Sequence, residues 1–212
     1  MRDFPLFDTA NGVGSIILKE VPYSGAAYIR MQSASDPGAF LKECLDFCVA
    51  VGAQKVFASG HDILVGYPLH TSIMEMRCCI DSLPDTDAAL FPLQENTLEY
   101  WRTLYNEKMA PIDNATYMTA RDGEKLLKKG SGYFVHRGEE LLGIGIASED
   151  RIDAVISNIP GCGREVLLAL CHALSGETVR LEVASSNARA VRLYERLGFL
   201  VTGEISTWYK IF

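Results

Sequence analysis

The sequence predicts an α/β (α+β) protein with a mixed, mostly antiparallel sheet flanked by helices. Three observations predict it. Residues 178–183 alternate polar and apolar with β-branched members, as a half-buried strand does, and residues 188–197 then place Ala190, Leu193, Tyr194 and Leu197 on one face of a helix. Residues 133–137 and 141–147 are short apolar runs around Gly138-Glu139-Glu140, the pattern of a hairpin. Residues 28–58 repeat the strand, helix, strand order of residues 153–184.

In chain order, residues 1–15 are punctuated by Pro5, Asn11-Gly12 and Gly14 and are expected to be irregular. Residues 15–20 and 26–32 read as short strands. Ser35-Asp36-Pro37 opens a helix with an oxygen cap and a proline at the first position. Phe40, Leu41, Cys44, Leu45, Cys48 and Val49 form its apolar face, and Gly52 ends it. Strands are expected at 54–59 and 70–80. Leu83-Pro84-Asp85-Thr86-Asp87 is a run of turn residues between apolar stretches and sets a boundary. Residues 88–93 read as a strand. A helix is expected over 95–109, with Leu98, Trp101, Leu104 and Tyr105 on one face, and another over 119–129, opened by Thr119 and closed by Gly130. After the hairpin, 151–159 is a strand and Val166-Leu167-Leu168-Ala169-Leu170 is the body of a helix. Beyond Gly198 there is room for one long strand or two very short ones.

The chain has 212 residues, enough for one large domain or two small ones. Hydrophobic content of 48% and charged content of 22% are those of an ordinary globular protein. A net charge of −7 argues against non-specific nucleic-acid binding and is compatible with a cationic or amine partner. No basic segment leads into an apolar run, and no apolar run approaches the ~20 residues of a membrane helix, so no membrane association and a cytoplasmic location are expected. The six cysteines are then expected to be reduced thiols. Cys44 and Cys48 lie one helical turn apart with no histidine at a matching spacing, so they read as small buried apolar residues, not as metal ligands. An oligomer is compatible with the sequence.

Ser185-Ser186-Asn187 supplies oxygens that can cap the helix after the 178–183 strand, Gly198 stops that helix, and Phe199 can fold back on its last turn. On these residues the sequence resembles a known family. Asn187, Ala190, Leu193-Tyr194-Glu195 and Leu197-Gly198-Phe199 stand as in the last conserved block of the GNAT acetyltransferase superfamily. The resemblance is strongest over 153–200 and extends in element order over 88–212. It implies a GNAT acetyltransferase domain over 85–212. Residues 1–84 read as a degenerate GNAT-like half that lacks both a glycine-rich turn and a matching Asn-to-Tyr block. The activity implied is N-acyl transfer, most simply of acetyl from acetyl-CoA to an amine acceptor, by direct transfer in a ternary complex and without a metal.

Such chemistry requires a place for the CoA pyrophosphate. Helix N-termini offer unpaired N–H groups and a positive dipole end, and glycines admit phosphate close to the backbone. Pro160-Gly161-Cys162-Gly163-Arg164-Glu165, between a strand and a helix, is such a place, although the same glycines suit a tight connection. The resemblance makes Ile156, Ser157, Asn158, Gly161, Cys162, Gly163 and Arg164 the CoA-binding residues and gives Asn187 a hydrogen bond to the pantetheine arm. Asn158 stands where the family has Arg or Gln and brings no charge; Arg164 can compensate, whereas Glu165 would repel a diphosphate. Tyr194 takes the place of the acid that protonates the departing thiolate, and its ring also suits a core position. Asp153 is the carboxylate well inside the strand before the loop and the candidate base, or else a solvated charge. His136 and His172 are further titratable candidates, and Trp208 and Tyr209 can line an acceptor pocket or pack in a core. The alternative reading is a GNAT-fold protein that binds CoA, or serves regulation or interaction, without turnover.

Overall fold

The computed structural model describes residues 6–112 and 114–212. The expectation for residues 1–5, Pro5 included, lies outside them. The chain divides into two compact units, Met1–Ile73 with Glu204–Phe212, and Met74–Gly203. The turn segment 83–87 lies inside the second. Two strands, β5 (Leu69–Cys79) and β11 (Leu200–Lys210), contribute residues to both units.

In the first unit, β1 (Leu6–Thr9) and β2 (Gly12–Ile17) form an antiparallel hairpin in register from Leu6↔Ser15 to Thr9↔Gly12. The irregular segment expected up to residue 15 is therefore a paired one from Leu6 onward. Ala10-Asn11 forms the two-residue turn between the paired Thr9 and Gly12, and Phe7 anchors β1 by packing its ring against Phe40 and Phe47. A short helix, α1 (Val21–Ser24), ends at Gly25, whose φ of 70° is the left-handed conformation that favours glycine. Beyond it, β3 (Ala26–Ala34) runs antiparallel to β2. In α2 (Pro37–Ala50) the Asp36 carboxylate accepts a hydrogen bond from the Ala39 amide at 3.0 Å, the expected cap. A parallel strand, β4 (Lys55–Ser59), follows, and β11 pairs antiparallel with it at Tyr209↔Ala58. The core is Phe40, Leu41, Cys44 and Cys48 of α2 against Ile29, Val56 and Ala58. Phe40, Leu41, Ile29 and Val56 each contribute about 1.5–3 kcal/mol on burial. Burial also pushes the thiols of Cys44 and Cys48 up to about 12 and about 11.

In the second unit the strand order is β5, β10 (Thr178–Ala184), β9 (Arg151–Ser157), β8 (Glu140–Ser148), β7 (Gly132–Arg137), β6 (Ala89–Pro92). The hairpin of β7 and β8 is antiparallel, as are its outer neighbours β6 and β9. One face is covered by α5 (Gly163–His172) and α6 (Ala188–Arg196), whose apolar sides meet Leu142, Ile152, Leu181 and Val183. Gly143 and Gly145 make this approach possible: a Cβ at Gly145 would lie 2.3 Å from Leu170, and one at Gly143 2.7 Å from Val166. The other face carries α3 (Leu98–Met109) and α4 (Ala120–Lys129), with Trp101, Leu104, Tyr105 and Leu126 against Phe134, Ile144, Ala154 and Ile156. The fully buried Trp101 donates its indole N–H to Tyr133 O at 3.0 Å. The helix expected from residue 95 opens instead as a 3-10 turn, Glu95–Thr97.

Candidate functional site

Each unit contains one strand–helix–strand with parallel strands, and the two differ where they matter. In the first, β3 and β4 stay paired over five positions, from Ala26↔Lys55 to Arg30↔Ser59. In the second, β9 and β10 pair only at Arg151↔Arg180 and Ile152↔Leu181, although β9 runs on to Ser157 and β10 to Ala184. The strands part after two pairs. From Asp153 onward the β10-facing edge of β9 has no ladder partner, so its backbone groups can receive a ligand.

The loop after β9 is fixed by its own residues. The amides of Asn158 and Ile159 turn back to Leu142 O at 2.8 and 3.4 Å, which is why the strand ends two residues earlier than the sequence suggests. The Asn158 side-chain amide donates to Leu141 O at 3.3 Å, the Lys108 ammonium donates to Asn158 O at 3.3 Å, and the Ser157 hydroxyl donates to Ile159 O. Asn158 is thus a fastener of the loop. Gly161 has φ of 97°, with open space where a Cβ would be, and the Cys162 amide closes the turn onto Ile159 O at 3.2 Å.

Helix α5 begins at Gly163 without a side-chain cap, and its first internal hydrogen bond runs from Val166 N to Cys162 O at 3.1 Å. Among the described residues the amides of Gly163, Arg164 and Glu165 have no acceptor. Three free N–H groups at the positive end of a ten-residue helix could receive an anion. Arg164 is exposed and in no ion pair among the described residues. Glu165, which the sequence set against a diphosphate, lies 3.9 Å from the Arg137 guanidinium. These residues fit a phosphate group.

The second motif meets the first. Asn187 caps α6 by accepting from the Ala190 amide at 3.2 Å, which commits its carbonyl oxygen and leaves its NH2 group free to donate. Leu193 on α6 lies against the start of α5, 3.4 Å from where a Cβ on Gly163 would be. The next residue, Tyr194, is 8% exposed, and its ring packs on Phe199 with centroids 5.8 Å apart. Desolvation pushes its hydroxyl up to about 12, with the Cys171 thiol adding to the rise. That hydroxyl makes no hydrogen bond among the described residues.

Other candidates lie apart from this arrangement. Asp153 is held by Arg151. His172 Nε2 lies 3.2 Å from Pro84 O, and His136 sits among the aromatic rings of β6 and β7. Trp208, in the first unit, packs edge-to-face on Tyr28 and donates to Ser206 Oγ at 3.0 Å, while Tyr209 packs against the α2 core. Among the described residues no group of three or more His, Cys, Asp and Glu is placed to hold a metal ion, and no helix is long and apolar enough to cross a membrane. Sequence reasoning missed Leu141, Leu142 and Lys108 as anchors of the loop; their contacts are to backbone and leave no motif. It also missed Gly143 and Gly145, for which the Gly-Ile-Gly spacing on a strand was an available sign of close helix packing.

No protein-family model matches the chain, and no curated protein matches it. Solved structures do. A GCN5-related N-acetyltransferase from Sphaerobacter thermophilus superposes with a TM-score of 0.62 at 12% identity, covering 93% of this chain and 75% of that one. One from Anabaena variabilis gives 0.61 at 12% identity, covering 94% of this chain and 59% of that one. A conserved protein of unknown function from Staphylococcus epidermidis gives 0.59 at 10% identity, covering 99% of this chain and 94% of that one. The mixed, mostly antiparallel sheet flanked by helices is the fold of the GNAT N-acetyltransferases.

Proposed function

We propose that the protein is an N-acyltransferase that moves acetyl from acetyl-CoA to an amine by direct transfer in a ternary complex. The observation that carries this reading is the parting of β9 and β10 after two pairs, beside the uncapped start of α5. The unpaired edge of β9, including Ile156 and Ser157, would receive the pantetheine arm as a further strand does. The free amides from Gly163 onward, the open turn at Gly161-Cys162 and the Arg164 side chain would take the pyrophosphate, and the Asn187 NH2 group would bond the pantetheine arm. Asn158 would take part only by holding the loop.

In the transfer the acceptor nitrogen attacks the thioester carbonyl, the C–S bond breaks, and the sulfur leaves as a thiolate. Tyr194 would give that sulfur its proton, and the amine proton would pass to water. The catalytic domain would be residues 85–212. Residues 1–84 would be a degenerate GNAT-like half, supported by the parallel β3-α2-β4 unit whose strands remain closed. Six unpaired cysteines suit a reducing cytoplasm.

A thermal-shift titration with acetyl-CoA and with free CoA tests the reading, because a ligand bound to the native state raises the unfolding midpoint once it exceeds its dissociation constant. No shift with either ligand at millimolar concentration would sink it. One observation favours a second reading, a CoA-binding or regulatory protein without turnover: Asn158 has its side chain committed to Leu141 O, which weakens the loop's hold on phosphate. A midpoint shift without thiol release across a panel of amines would select that reading.

A further inference from the structure

An aromatic cavity lies on the α3 side of the second unit, at its β6 edge. It measures about 410 Å³ and is lined by Phe91, Phe134 and His136, with Gln94, Thr97 and Glu139 completing the wall. Phe91 and Phe134 are direct cross-strand partners, and His136 follows Phe134 by two residues, so all three share one face. The planes cross: Phe91 meets His136 at 74° with centroids 5.2 Å apart, and Phe134 meets it at 65° and 6.4 Å. Tyr100 of α3 stacks on Phe134 at 6.2 Å and 14°. Phe134 belongs to the core at 8% exposure, whereas Phe91 and Tyr100 are 51% and 58% exposed, so these two rings do not fill a core. Glu139 is exposed and in no ion pair among the described residues.

Crossed ring faces beside an uncompensated carboxylate suit a particular cation. A primary ammonium needs several acceptors to replace its water, and this cavity offers one free carboxylate beside the Gln94 amide and the His136 ring, its Thr97 hydroxyl being bonded to the Gln94 backbone. A methylated ammonium donates no hydrogen bonds, is weakly hydrated, and is attracted by ring faces. We infer that this cavity binds a trimethylammonium group, with Phe91, Phe134 and His136 as walls and Glu139 as counter-charge. It shares no residue with the acyl-transfer site and rests on no part of that reading.

Isothermal titration with choline tests it against a neutral isostere that carries a tert-butyl group in place of the trimethylammonium. The expected result is saturable choline binding, with the isostere weaker by about fivefold or more and Phe91→Leu and Glu139→Gln each weakening choline about three- to tenfold. Both side chains are exposed, and an unchanged unfolding midpoint verifies the fold of each variant. Glu139→Gln should leave isostere binding unaltered. Sedimentation with phosphatidylcholine vesicles, lost in the same variants, assigns a lipid headgroup as the source of the cation; choline binding without sedimentation assigns a soluble one. No saturable binding at tens of millimolar, equal affinity for the isostere, or choline binding unchanged in both variants overturns the inference.

Discussion

Arg151 and Asp153 stand on the same face of β9 with the guanidinium Nε 2.6 Å from the carboxylate, and the other end of that guanidinium reaches Glu182 at 3.1 Å. A carboxylate with one oxygen against a guanidinium has a structural partner that accounts for it without an acceptor amine. Asp153→Asn is therefore expected to keep turnover within about threefold, well short of the ~10²–10⁴-fold that a general base contributes. A loss in that larger range, with the acidic limb of the pH–rate profile removed, would return Asp153 to the role of base.

The two glycines of the loop separate fold from ligand binding. Gly161 holds φ of 97°, so Gly161→Val imposes backbone strain of about 1–3 kcal/mol and should lower the unfolding midpoint. Gly163 is outside the left-handed region, and a Cβ there meets Leu193 at an ordinary 3.4 Å. Gly163→Val should therefore fold with a near-native midpoint, yet set a branched side chain among the free amides and weaken CoA binding by about tenfold or more. Native CoA affinity in the folded variant would reduce the turn to a connection.

These differences also mark what the sequence could say. The strand, cap, helix and glycine stop around Asn187 were legible because each signal is local: an oxygen before a helix, a face at spacings of three and four, a glycine after it. The βαβ order of 28–58 and 153–184 was legible for the same reason. The parting of β9 from β10 was not, since it depends on where neighbouring strands stop pairing. Nor was the fastening of Asn158 to Leu141, or of Asp153 to Arg151, because side-chain partners follow from register and not from residue type. The hairpin of β1 and β2 was misread because Asn11-Gly12 looks the same beside a tight turn, where Gly12 pairs with Thr9, and in an irregular segment; Phe7 on Phe40 decided between them.

Asn187 offers two separable roles. Its oxygen caps α6, and loss of a cap costs about 1 kcal/mol. Its NH2 group is the part proposed to reach the pantetheine arm. Asn187→Ala is expected to lower stability by about that amount and also to raise the Michaelis constant for acetyl-CoA. Asn187→Asp keeps the capping oxygen and removes the donor, so it should keep stability and still raise the constant. If both variants leave the constant unchanged, Asn187 is a cap alone.

Tyr194 carries the sharpest expectation. Its burial holds the hydroxyl protonated, with a pKa pushed up to about 12 against ~10 for an unperturbed tyrosine, so the proton is available to a departing thiolate throughout the neutral range. Tyr194→Phe retains the ring and its packing on Phe199 and removes only that proton. Turnover should fall toward the ~10²–10⁴-fold range of general acid catalysis, while acetyl-CoA binding is largely kept. Stability provides an independent reading. Below pH ~10 the hydroxyl is protonated in both folded and unfolded chains; as pH rises from ~10 toward the folded value, the unfolded chain loses its proton first, and the stability associated with the buried neutral tyrosine is lost. The wild-type protein should therefore lose more stability than Tyr194→Phe over that window; the raised thiols of Cys44 and Cys48 act in the same direction and cancel in the difference, while Cys171, which adds to the Tyr194 rise, is part of that difference. Equal pH slopes would place the hydroxyl in contact with water in the folded state. Turnover retained within about threefold, with chemistry shown to limit the rate, would mean that the sulfur takes its proton from water and that Tyr194 is a core residue.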